Sequence, residues 1–213
     1  MTGRDEQRHE YHVGVLSEAA VDRDPLRQFR RWLDEAVAAR LPEPTAVTLA
    51  TVDADGMPDA RVVLLRGIDD RGVRWFTNRR SAKGRQLAAN PSAAIAVHWQ
   101  PLERQVRIRG RVEALSDEES DAYFATRPRA SRLSAIASRQ SEPIADRAAL
   151  EARIAAVEQR HADDDEVPRP SHWGGYLLRP DSVEFWQGRP ARLHDRLVYR
   201  RSGTAWRLER LQP

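Results

Sequence analysis

From residue 46 onward the chain alternates apolar and polar positions in short runs separated by tight turns, the signature of half-buried strands. Ala46 to Val52 reads as one strand. Asp53-Ala54-Asp55-Gly56 is a turn, with Gly56 supplying the left-handed residue. Pro58 to Gly67 is the next strand, Asp69 to Gly72 a second turn, and Val73 to Thr77 a third strand. Ala93 to Trp99 and Gln105 to Leu115 follow. Gly175 to Leu178, Ser182 to Gln187, Arg192 to Arg200 and Ala205 to Leu211 close the chain as four more.

Helical spacing interrupts this pattern at defined places. Leu26, Phe29, Trp32, Leu33 and Val37 share one face of a helix that Asp24 caps, that Pro25 opens, and that ends near Leu41-Pro42. Ser81 caps a short helix ending at Asn90-Pro91. Ser116 to Glu119 is a capping box for a helix running to about Thr126. Pro128 starts a helical stretch through Ser138, and Asp146 caps an amphipathic helix carrying Leu150, Ile154 and Val157. Strands joined by tight turns, with few helical crossovers, predict an antiparallel barrel or sandwich with added helices: mainly β, of the α+β class. Residues 1–21 are polar and form a separate N-terminal segment; residues 22–213 form a single domain.

Composition narrows the chemistry. The 213 residues include no Cys, so neither a disulfide nor a thiolate is available. The polar start contains no apolar signal core, and no apolar run nears the roughly 20 residues that span a bilayer, so a soluble, cytoplasmic protein without membrane contact is expected. The net charge is +3, and Lys83 is the only lysine; Arg carries the rest of the positive charge. Acidic residues are interspersed with the arginines and no basic block appears, which argues against nucleic acid and for small phosphate-bearing ligands. The scattered histidines form no metal-ligand pattern, and no metal is expected. GxSxG, Walker and GxGxxG motifs are all missing from the sequence, which removes the common hydrolase and glycine-cradle readings.

What remains is three groups. Val183-Glu184-Phe185-Trp186-Gln187-Gly188 and Arg192-Leu193-His194-Asp195-Arg196 read as two strands joined by a short turn. On a strand, Arg192 and His194 point to one face. A planar cation beside an imidazole suits a bound anion or a reacting proton; an exposed polar hairpin with a packed Trp is the plainer alternative. Arg61 opens a strand, Thr77 ends one just before the Ser81 helix, and Lys83 sits in that helix's first turn, where an anion is favoured. Tyr123, Arg127 and Ser131 follow at i, i+4 and i+8 and could share a face suited to a second phosphate.

Taken in order, the motifs Arg61-Val-Val-Leu-Leu-Arg66, Phe76-Thr-Asn78, Ser81-Ala-Lys83-Gly84, Glu103-Arg-Gln-Val106, Tyr123-Phe124, Arg127-Pro-Arg129, Arg139-Gln-Ser141, Trp173-Gly-Gly175, Glu184 to Gly188, Arg192 to Arg196 and Arg210-Leu-Gln-Pro213 resemble the pyridoxamine 5′-phosphate oxidase family, from about Arg8 to Pro213. The resemblance implies an FMN-binding split β-barrel homodimer with a C-terminal dimerisation region and the flavin at the subunit interface. It implies oxidation of pyridoxine or pyridoxamine 5′-phosphate by O2, giving pyridoxal 5′-phosphate and H2O2. FMN contacts carry over to Arg61, Val62, Val63, Leu64, Leu65, Arg66, Phe76, Thr77, Lys83, Gln105, Gln140, Ser141, Trp186 and Arg196. Substrate contacts carry over to Tyr11, Arg66, Tyr123, Arg127, Ser131, Arg192 and His194. Of these, Arg192 and His194 flank the substrate ring as catalytic residues, and Tyr11 belongs to a segment closing over the site.

Three positions depart from the family's pattern. Arg66 replaces a usual Lys, Ala82 replaces a basic residue, and Ser134-Ala135-Ile136 replaces Gly-Ala-Trp. They leave open a related flavin oxidase of secondary metabolism, like the phenazine-biosynthesis relatives, and a flavin- or pyridoxal-phosphate-binding protein without turnover.

Overall fold

The computed structural model describes residues 10–213; Arg8, His9 and the start of the expected N-terminal segment lie outside the described residues. The elements are α1 (Pro25–Ala38), β1 (Ala46–Val52), β2 (Pro58–Leu64), β3 (Gly67–Asp69), β4 (Gly72–Asn78), α2 (Ala82–Ala89), β5 (Ser92–Trp99), β6 (Arg104–Ala114), α3 (Asp117–Ala125), α4 (Arg129–Ala137), α5 (Arg147–Arg160), β7 (Trp173–Gln187), β8 (Asp195–Ser202) and β9 (Ala205–Leu211). The strands make one curled antiparallel sheet, in the order β2-β1-β5-β6-β7-β4-β3, with β8 and β9 branching from β7.

The branch is where the sheet splits. Two strands were expected at 175–178 and 182–187; β7 instead runs unbroken through Pro180. Its first half pairs with β4, from Trp173 to Leu178, and its second half with β8, from Ser182 to Gln187. β6 pairs along most of its length, with a register shift between Arg109 and Gly110. Pro180 therefore sits at the bulge, where its missing N–H costs no regular ladder bond. Gly110 is needed opposite: a Cβ there would lie 1.9 Å from the Arg179 carbonyl oxygen.

The alternation read from the sequence becomes an inside and an outside. Val106 and Ile108 of β6, Val183 and Phe185 of β7, and Leu197 and Tyr199 of β8 are buried. Intervening residues such as Gln105, Arg107, Glu184, Trp186 and Arg196 face the other way. Helix α1 covers the inner face. Trp32 meets Phe185 edge-on at 5.1 Å and Phe29 stacks on Trp99 at 6.2 Å. Burying side chains of this size contributes about 1.5–3 kcal/mol each, which explains why the Leu26-Phe29-Trp32 spacing decides where the helix docks. Asp24 caps it as expected, accepting from the Leu26 N–H at 2.8 Å. Residues 10–21 lie along the outside of the β7–β8 end. The Leu16 N–H donates to Asp195 at 3.1 Å, and Arg210 bonds the Leu16 carbonyl at 3.0 Å and Glu18 at 2.8 Å.

Pro58 to Gly67 does not form one strand. β2 ends at Leu64, Leu65 turns into the core, and Gly67–Asp69 pairs with β4 instead. This break carries the chain from one edge of the sheet to the other.

Candidate active site

A cleft of about 740 Å³ opens between β2, β4, the start of α2, α3 and the segment 134–141. Its size falls in the range usual for small-molecule sites. Arg61, Val62, Val63, Leu64, Arg66, Phe76, Thr77, Lys83, Tyr123, Arg127, Gln140 and Ser141, all expected site residues, line it.

Two cations define one end. Arg61 is held by its Nη1 donating to the Leu49 carbonyl at 3.2 Å and Thr51 Oγ1 at 2.6 Å, and by an ion pair with Asp59. Its Nη2 also donates to Gln86 Oε1 at 3.1 Å. Lys83 is buried beside it, because Ser81 caps α2 through its Oγ and turns the first helical residues into the cleft. Among the described residues the Lys83 Nζ reaches only two hydroxyls, Thr77 Oγ1 at 3.3 Å and Ser81 Oγ at 3.4 Å. Burial pushes the ammonium's pKa down and the Arg61 charge adds to this; Asp59 opposes it. A buried ammonium without a contacting carboxylate is costly, and a bound anion offsets that cost. Thr77 also donates to Gln140 Oε1 at 3.1 Å, tying β4 to the 138–141 segment, where Ser141 adopts the left-handed backbone with φ 73°. Strain of this kind in a non-glycine residue is typical of binding loops.

The other end is aromatic and cationic. Phe76 and Tyr123 stack at 3.9 Å, and Trp173 lies parallel to both. Gly175 leaves room for this stack, since a Cβ there would lie 2.7 Å from the Phe76 ring. Arg127 rests over Trp173 at 4.6 Å, with its Nη1 buried and unpartnered. Burial lowers its pKa, Tyr123 opposes that, and the Arg66 charge lowers it further, so two guanidinium groups share this end. An unsatisfied buried donor costs about 1–3 kcal/mol, more when charged, and two like charges add to it. An anion between Arg66 and Arg127 relieves both.

Two expected residues do not join the cleft. The Leu65 side chain is buried in the core at 3 % exposure, because the edge strand ends just before it. Ser131 lies outside the lining: α4 begins a new helix after Pro128, which breaks the i, i+4, i+8 face. Of the 134–136 segment, Ser134 and the unchanged Ala135 line the cleft, whereas Ile136 faces a neighbouring cavity. Ala82 lines it as well.

Gln105, Trp186, Arg192, His194, Arg196 and Tyr11 are elsewhere. Gln105, Trp186 and Arg196 are cross-strand neighbours on the outer face of β6, β7 and β8. Arg192 and His194 were expected on a strand; they lie instead in the turn before β8, with Ala191 and Arg192 in the left-handed region at φ 52° and 61°. His194 is nonetheless fixed. Its ring lies 4.7 Å from Trp186 and 5.5 Å from Tyr11, and its Nδ1 accepts from the Arg189 backbone N–H at 3.2 Å. That bond places the ring proton on Nε2. Burial lowers the imidazole's pKa below its ordinary 6.5, and the Arg192 charge adds to this. The group is therefore a neutral donor at neutral pH.

None of these residues lines the cleft. Trp173 lines the cleft and Trp186 belongs to the hairpin, both on β7 and thirteen positions apart. At about 3.3 Å per residue that is on the order of 40 Å along the strand.

The sequence reading gave no role to Asn78, whose Nδ2 donates to the Ser138 carbonyl at 3.3 Å, or to Asp195, which ties Leu16 to Arg210. Glu184 was also missed: it pairs with Arg107 and Arg196. Its one available signal was a carboxylate between the apolar Val183 and Phe185.

Comparison with known proteins agrees with this layout. Residues 33–161 match the model of the family described as pyridoxamine 5′-phosphate oxidase, and residues 173–213 match that of the pyridoxine 5′-phosphate oxidase C-terminal dimerisation region. The chain is 58% identical over 214 residues to a pyridoxine/pyridoxamine 5′-phosphate oxidase of Cupriavidus taiwanensis, with all of both chains covered. It is 57% identical over 213 residues to one of Thermosynechococcus vestitus, again with all of both covered. Among solved structures, PhzG from Burkholderia lata in complex with tetrahydrophenazine-1-carboxylic acid superposes with a TM-score of 0.88 at 36% identity, covering 94% of this chain and 99% of that one. A pyridoxamine 5′-phosphate oxidase-related FMN-binding protein from Nostoc punctiforme shares the fold at TM-score 0.71 and 22% identity, covering 94% of this chain and 100% of its own.

Proposed function

Because the chain belongs to the pyridoxamine 5′-phosphate oxidase family and is an oxidoreductase, we propose that it is an FMN-dependent oxidase. It converts pyridoxine or pyridoxamine 5′-phosphate to pyridoxal 5′-phosphate, with O2 as acceptor and H2O2 as product. The observation that carries this reading is the pair of anion sites in one cleft: Arg61 with the buried Lys83, and Arg66 with the unpartnered Arg127. Cofactor and substrate each bring one phosphate, and Arg matches phosphate with its planar fork.

The residues present fit FMN. Lys83, Arg61, Thr77, Gln140 and Ser141 would hold it in the cleft, with the β2 segment 61–66 along its length. When bound, FMN supplies the two-electron acceptor. The protein supplies orientation. Tyr123, Arg66 and Arg127 would bind the substrate phosphate, and stacked Phe76 and Trp173 keep water from that wall. Arg192 would hold the pyridine ring in line, and His194 would donate a hydrogen bond from Nε2 without carrying charge. Tyr11 would cover His194 and Trp186.

The match of residues 173–213 to a dimerisation region, and a cleft lining that includes none of the hairpin residues, support a homodimer in which one subunit's cleft meets the partner's hairpin, with residues 22–213 as one domain that includes the dimerisation region. Among the described residues no helix is long and apolar enough to cross a membrane. A second reading, oxidation of a different aromatic substrate, is favoured by the likeness to PhzG and by Ser134, which alters the cleft wall. Retention of Tyr123 and Arg127 favours the phosphate substrate.

Anaerobic addition of pyridoxine 5′-phosphate to the FMN-loaded protein separates the two. Bleaching of the flavin absorbance is expected. A flavin band that stays unchanged would remove the B6 phosphate as substrate.

A further inference from the structure

Glu184 is a carboxylate at 8 % exposure on the outer face of β7, between two arginines from the strands on either side. Its Oε1 accepts from Arg196 Nε at 2.8 Å, and its Oε2 accepts from Arg107 Nη1 at 3.2 Å. The opposite end of Arg196 is also held, with Nη1 donating to the Gln212 carbonyl at 3.0 Å. Among the described residues no protein atom takes Arg196 Nη2.

An Arg side chain on an outward strand face has rotamer entropy to lose when it is fixed. Two anchors at Nε and Nη1 remove that freedom before any ligand arrives, and they leave one edge of the fork presented for an acceptor. Resting on the reading of Arg196 as an FMN contact, we propose that Glu184 is a positioning residue for the flavin. It acts through Arg196, and it uses Arg107 only to share its own negative charge. With two guanidinium groups around one carboxylate, the cluster keeps a net positive charge, so Glu184 orients Arg196 without cancelling its attraction for an electron-rich acceptor. A purely structural role for the cluster would look different. It would depend on Arg107 as much as on Arg196, and it would move folding stability rather than cofactor affinity.

The test is a double-mutant cycle on the full-length dimer, read by quenching of free FMN fluorescence on titration with FMN-stripped protein. Glu184→Gln keeps the shape and removes the charge. It is expected to weaken FMN binding about tenfold, and this loss should vanish when Arg196→Ala is already present, because the carboxylate then has nothing to orient. Arg107→Ala should leave FMN affinity within about twofold, since the Arg196 clamp survives. FMN affinity unchanged in Glu184→Gln overturns the proposal. So does a loss that persists in full in the Arg196→Ala background, or an equal loss in Arg107→Ala. If the glutamine variant does not fold, Glu184→Asp serves in the same cycle, keeping the charge but withdrawing it by one methylene. Wild-type protein that takes up no FMN would overturn the flavin reading itself; wild-type binding with an additive cycle would overturn the role of Glu184 alone.

Discussion

The cleft and the β7–β8 hairpin solve different problems, and their construction shows it. The cleft gathers cations from β2, α2 and two connecting segments, and among the described residues leaves Lys83, Arg66 and Arg127 without a carboxylate in contact. The hairpin is closed on itself. His194 is enclosed by Tyr11 and Trp186 and bonded by the Arg189 N–H, and Arg196 is already paired. On the proposed function, one region stores unmet charge for binding, and the other stores fixed geometry for chemistry. Binding energy from phosphates can then hold a ring against groups that do not have to move.

The sharpest way to break this comparison is to remove chemistry without removing binding. Arg192→Ala is expected to lower kcat about 100- to 1000-fold while FMN affinity stays close to wild type. Steady-state turnover and flavin titration of the same preparation check it, and unchanged turnover would take Arg192 out of the mechanism. A mixing experiment asks whether the two regions meet across subunits. Arg127→Ala spoils the cleft and Arg192→Ala the hairpin, so each homodimer should be nearly inactive. After unfolding and refolding equal amounts together, about one quarter of wild-type activity should return, because half the dimers are mixed and each mixed dimer holds one intact site. No recovery would place both groups in one subunit's site.

The smallest effect expected is that of pH. His194 has its pKa lowered in the folded protein by burial and the Arg192 charge. The unfolded chain therefore binds the proton more readily, and the neutral ring's contribution to stability is present above the ordinary value of 6.5 and is lost as pH falls below it. NMR titration of the imidazole should give a midpoint below 6.5, with the proton on Nε2 in the neutral form. A midpoint above 6.5 would make the group a cation at the site and would contradict the donor role.

Much of the fold was legible because its signals are local. Asp24, Ser81, Ser116 and Asp146 cap the helices they were expected to cap, each through its own side chain. Gly56 turns the first hairpin at φ 83°. The misreadings occur where pairing partners change. Alternation does not reveal that β7 switches neighbours at Pro180, since the bulge depends on Gly110 in a distant strand. Strand ends were overextended at Leu65 and at Arg192 for the same reason: a residue keeps strand geometry only while a neighbour pairs with it.

The sequence by itself determined which residue types could do the chemistry, the elements that carry them and the family to which the chain belongs. Caps, turn residues, periodicity and motif order are all properties of residues close together in the chain. Only the tertiary structure decided which of these residues meet. It placed Lys83 beside Arg61 and Arg66 beside Arg127, sent Leu65 inward, left Ser131 outside, and set Glu184 between Arg107 and Arg196. It also set the cleft and the hairpin at opposite ends of one strand. Those outcomes depend on long-range register and on the summed packing of the sheet, and no short stretch of sequence encodes either.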